Sequence, residues 1–102
     1  MSAAFERTVR RALDALPPEI AAKLENVAVV VEDENAEEPD LYGLFSEEPY
    51  MPAVVTIYRR PLVEDFGGDP AELEHEIRVT VLHEIAHYFG FDERRLDELG
   101  YG

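Results

Sequence analysis

Apolar residues recur along this chain at two periods, one helical and one extended. Phe5, Val9, Ala12, Leu13 and Leu16 follow helical spacing while Glu6, Arg7, Arg10, Arg11 and Asp14 fill the opposite side. This pattern predicts an amphipathic first helix with Ser2 as its cap. Pro17-Pro18 ends that helix, and Pro18 suits the first turn of a short second helix running to Leu24. Val27-Ala28-Val29-Val30-Val31 is a continuous, mostly β-branched run, which predicts a strand buried on both faces. Leu41 to Phe45 predicts a short strand broken at Gly43, and Glu47 to Pro52 a loop. The next strand signal, Ala53 to Arg60, stops at Pro61. Its alternation sets Val54, Thr56 and Tyr58 on one face, with Val55 and Ile57 on the other. Leu62 to Phe66 predicts a helical turn before the Gly67-Gly68 break.

The longest periodic segment follows. Asp69-Pro70 supplies an N-cap with proline at the first helical position, and Glu72, Glu74 and Glu76 suit the N-terminal half of a helix. The helix is predicted from Pro70 to about Phe89, with Gly90 as a left-handed terminator. Leu73, Ile77, Val81, Ile85 and Tyr88 form one apolar stripe; Val79, Leu82, Ala86 and Phe89 form a second. A helix apolar over so wide an arc belongs at the centre of its domain. The remaining face carries Glu76, Thr80, His83 and His87. Asp92 is placed to cap a last helix, Glu93 to Leu99.

Chemistry concentrates on that remaining face. His83-Glu84-Ile85-Ala86-His87 has the form H-E-x-x-H. Two histidines four apart project to one side of a helix, separated by about 6 Å along its axis. Both imidazoles can then reach one tetrahedral zinc ion, with Glu84 beside it as a general base. Gly90 permits a sharp turn, after which Glu93, six residues beyond His87, can return a carboxylate to the metal. Asp92 is the neighbouring alternative for the third ligand. Manganese, cobalt or nickel also suit such a nitrogen and oxygen set. The pattern predicts a metal-dependent hydrolase of the peptidase type.

Composition narrows the setting. The chain has 102 residues, enough for one domain spanning 1–102 with a modest core, and 46% of them are hydrophobic. No cysteine is present, so a zinc site must use nitrogen and oxygen. No apolar run is long enough to span a membrane, and the first residues lack the order of a signal peptide, so the expected compartment is the cytoplasm. A net charge of −14 argues against nucleic acid as a partner. Many of the acids fall between Glu32 and Glu48 and predict a solvated loop, and Arg59 and Arg60 are expected to pair with them. His75 lies off the histidine line and is expected at the surface.

Three segments extend the likeness beyond the core motif: Ile57 to Leu62, Glu76 to His87, and Leu96 to Gly100. Together they resemble the short bacterial zincin-like metallopeptidase family, whose extended motif is H-E-x-x-H-x-x-G-x-x-D/H. The resemblance implies an α+β fold of minimal zincin type, a small mixed sheet packed on a central motif-bearing helix with flanking helices. It further implies zinc held by His83, His87 and Glu93, a catalytic Glu84, and a peptide substrate paired along an edge strand at 53–58. Glu93 departs from the aspartate or histidine usual at its position. Nine residues follow it in the sequence, so neither a methionine turn nor a C-terminal subdomain is expected. Tyr101 is expected to serve packing at the chain end, so no oxyanion-stabilising group stands out. The alternative expectation is therefore a metal-binding module of the same fold that recognises a protein partner with little or no proteolysis.

Overall fold

The computed structural model describes residues 3–90 and 93–98, apart from the side chains of His87, Glu93, Arg95 and Leu96. Helix α1 (Ala3–Asp14) and helix α2 (Pro18–Lys23) lead through a single 3-10 turn into strand β1 (Val27–Glu32). Strands β2 (Gly43–Ser46) and β3 (Ala53–Tyr58) follow, then α3 (Arg59–Phe66), α4 (Pro70–Phe89) and α5 (Glu93–Glu98). Ser2, the expected cap of α1, lies outside the described residues. Among the described residues no helix is long and apolar enough to cross a membrane.

The three strands form one mixed sheet in the order β1-β3-β2. β1 runs parallel to β3, with Val29 opposite Val55, and β2 runs antiparallel to it, with Phe45 also opposite Val55. Two expectations change here. The 53–58 strand is the middle of the sheet, not an edge, so its backbone is committed on both sides and cannot take up a substrate peptide. Its burial explains the position: Val55, Thr56, Ile57 and Tyr58 are covered on both faces. Conversely, β1 is an edge whose burial alternates, with Val30 40% exposed. A run of valines reads alike at the middle and the edge of a sheet, because only neighbouring strands decide which it is.

α4 packs on β2 and β3, with α1 and α3 against its other sides. Ile57, Leu62, Ile77, Val81, Leu82 and Ile85 meet there without exposure, and Phe5, Val9 and Ala12 of α1 close the same core. Local chemistry sets the ends of α4 where the sequence predicted them. The Asp69 carboxylate accepts the Ala71 N–H at 2.9 Å, and Gly90 turns out of the helix at φ 76°. The predicted apolar stripes do not stay buried to the end, since Tyr88 and Phe89 emerge into solvent. Across the helix pair, Arg11 donates to Glu74 at 2.9 Å and, with Arg78, holds that carboxyl below its usual range.

The acidic loop is exposed, as expected, yet it is pinned at several points. Arg59 pairs with Asp33 at 2.7 Å, and Arg60 pairs with Glu34 at 2.9 Å and with Glu64 at 2.6 Å. Asn35 closes the turn by accepting the Glu37 and Glu38 amides, while its own side-chain N–H donates to the Tyr58 hydroxyl at 2.9 Å. Exposed ion pairs stabilise little individually, so the loop's path rests on the set rather than on any one.

Candidate metal centre

α4 presents Glu76, Thr80 and His83 along its polar face, with Glu84 beside them. β2 lies directly on this part of the helix. Gly43 makes the approach possible: a Cβ there would sit 2.6 Å from Thr80 Cγ2 and 3.2 Å from the Thr56 carbonyl oxygen. With β2 so close, the half-buried Glu84 carboxylate accepts the backbone N–H of Phe45 through Oε1 at 2.9 Å. The catalytic candidate is thus tied to the sheet by a charge-assisted bond, which fixes its rotamer. The Phe45 ring continues the contact on Tyr88 at 4.2 Å, and the Tyr88 hydroxyl donates to Glu47, which pushes its pKa up.

Beside these groups opens a shallow cavity of about 180 Å3, lined by Leu41, Tyr42, Gly43, Thr80, His83 and Glu84. His83 stands exposed at its wall. Tyr42 is half-buried, and its hydroxyl donates to Asp65 of α3. That bond, aided by burial and by the charges of Asp65, Glu76 and Asp40, pushes the phenol up to about 12. The hydroxyl is therefore committed to Asp65.

Of the four residues assigned from the sequence, the structure brings two together, His83 and Glu84. His87 follows on the same unbroken helix one turn later, and Glu93 begins α5 after the Gly90 turn. Their side chains, and the whole of Asp92 and Tyr101, lie outside the described residues. Among the described residues no group of three metal-ligating side chains converges. The donor set nonetheless suits zinc in kind, and the helix required to align His83 with His87 is continuous. His75 is exposed, as expected.

Sequence reasoning overlooked Phe45, whose contribution is a backbone amide and so has no signature in residue type. It also left Tyr42 unassigned. The one available signal was Gly43, because a glycine interrupting a strand marks a close backbone approach.

These elements, a mixed sheet laid on a helix that carries H-E-x-x-H, are those of a zincin-like metallopeptidase. The chain belongs to the zincin-like metallopeptidase family, which matches it over residues 24–102. The match starts at the turn before β1 and takes in the whole sheet and α4. A search of curated proteins finds no match to the chain. Zincin-like families generally bind zinc.

Proposed function

We propose that the protein is a zinc-dependent peptidase whose centre lies on the C-terminal part of α4. His83 and His87 would hold the metal as neutral imidazoles, with Glu93 as the third ligand. Zinc in such a set supplies Lewis acidity, polarising a substrate carbonyl and acidifying water. Glu84 is the general base. Its Oε1 is occupied by the Phe45 N–H, which leaves Oε2 to take the proton of the attacking water and pass it to the leaving amine. The anchored Glu84 beside His83 on the cavity wall is the observation that carries the reading. With β3 in the middle of the sheet, β2 carries the edge next to Glu84, and a substrate peptide would lie along that edge, where Glu84 already takes the Phe45 N–H.

Hydrolysis of an unstructured peptide library by the wild type and by Glu84→Gln, each with and without zinc, tests this. Glutamine keeps the acceptor for Phe45 while losing the base, so the expected loss is roughly 100- to 10,000-fold at unchanged stability. Equal rates in the two proteins would remove the catalytic role. A second reading, a metal-binding module that recognises a partner without cutting it, is favoured by the cavity. Its volume of about 180 Å3 is small beside the several hundred typical of ligand pockets. One zinc per chain by elemental analysis, with no cleavage of any peptide, would select that reading.

A further inference from the structure

The cavity at His83 has apolar groups in its wall and acids close to it. Leu41 and the ring of Tyr42 supply apolar walls, and Tyr42 packs against Phe66 with ring centroids 5.6 Å apart. Asp65 meets the Tyr42 hydroxyl, and Asp40 and Glu76 act on the same hydroxyl through their charges. Glu76 is half-buried, and its carboxylate makes no hydrogen bond or ion pair among the described residues. Arg60 is shared between Glu34, Glu64 and Asp40. A divalent metal held by two neutral imidazoles and one carboxylate would add a single positive charge. Glu84, Asp65, Glu76 and Asp40 still exceed it.

We infer that this cavity is a subsite for a lysine or arginine side chain of the bound peptide, with Asp65 and Glu76 as its specificity residues. The inference rests on the peptidase reading and names the substrate class of the same site. Long cationic side chains suit such a surface, since the aliphatic stem lies on Leu41 and the Tyr42 ring while the charged head meets the acids. An acidic side chain in the same place meets the carboxylates of Glu84, Asp65 and Glu76, which disfavours it. Direct attraction between partly exposed charges is screened by salt, so the preference should weaken as ionic strength rises.

The zinc-loaded protein is assayed against matched quenched peptides that differ only in carrying lysine, leucine or glutamate beside the scissile bond. Lysine is expected to exceed glutamate in kcat/KM by about tenfold or more at low salt. Asp65→Asn and Glu76→Gln should each reduce that ratio severalfold, chiefly by lowering kcat/KM for the lysine peptide relative to the leucine peptide, a split by substrate charge that a merely structural role would not produce. Equal cleavage of the three peptides, or a glutamate preference, overturns the subsite while the peptidase reading stands. Should no peptide be cut, the peptidase reading fails, and anisotropy of the same peptides, labelled, then tests the subsite alone. Tighter binding of the lysine peptide upholds it, and equal binding overturns it.

Discussion

On one side of α4, Leu73, Ile77, Val81 and Ile85 sit in the core that the helix shares with α1, α3 and the sheet. On the other, Thr80, His83 and Glu84 meet a shallow cavity, and Glu84 meets the edge of β2. Both faces belong to one helix, capped by Asp69 at its start and by Gly90 at its end. The buried face holds the helix in place, so the polar face can carry side chains that add little to stability. The two faces differ in what a substitution should change: the first alters folding, the second chemistry.

The largest test of that separation is Glu84→Gln, where activity should fall with no change in the midpoint of thermal unfolding. Glu84→Leu sharpens it. Leucine also strips the acceptor from the Phe45 amide and should cost about 1 kcal/mol in urea unfolding, in addition to the same loss of activity. On the buried face, Ile77→Ala should lower stability by about 2–5 kcal/mol while activity per folded molecule persists. A loss of specific activity from Ile77→Ala at full folding would break the comparison.

Gly43→Ala probes the boundary between the two faces. The added methyl meets Thr80 Cγ2 and should destabilise by about 1–3 kcal/mol, and it should reduce activity by moving β2 from Glu84. Thr80→Ser removes that methyl partner, so the double variant should recover part of both losses; simple additivity would show that the contact is not limiting. Asp69→Ala, remote from the cavity, should cost about 1 kcal/mol of stability and nothing in catalysis.

The smallest effect is expected at alkaline pH. Tyr42 titrates at about 12 in the folded protein against 10.0 for its ordinary value. The folded state thus binds more protons across that interval, and stability should be full below pH 10 and fall as pH rises toward 12. Tyr42→Phe should flatten that part of the stability profile, and near-ultraviolet titration of phenolate should lose its latest-ionising tyrosine in that variant.

Much of α4 was legible before the fold was known. Asp69, Pro70 and Gly90 act on their own neighbours through capping and backbone preference, so the limits 70–89 follow from local chemistry. Arg59 and Arg60 were likewise readable as partners for a nearby surplus of acids. The strands were legible as strands but not in their order. The valines of β1 looked doubly buried, and the family resemblance implied an edge at 53–58; the residues decide neither, because strand order depends on pairing between segments far apart. The anchoring of Glu84 was hidden for the same reason, since it joins residues 39 apart through an amide that any residue would possess.

What the sequence alone determined is the register of His83, Glu84 and His87 on one continuous helix. A helix repeats every 3.6 residues, and caps act over a single turn, so that register needs no knowledge of the fold. Tertiary structure decided which strand lies against the helix, that its approach depends on Gly43, and that Glu84 meets Phe45. Those outcomes come from packing a sheet onto a helix, where the side chains of distant segments must share one volume and only the assembled core fixes how close they come.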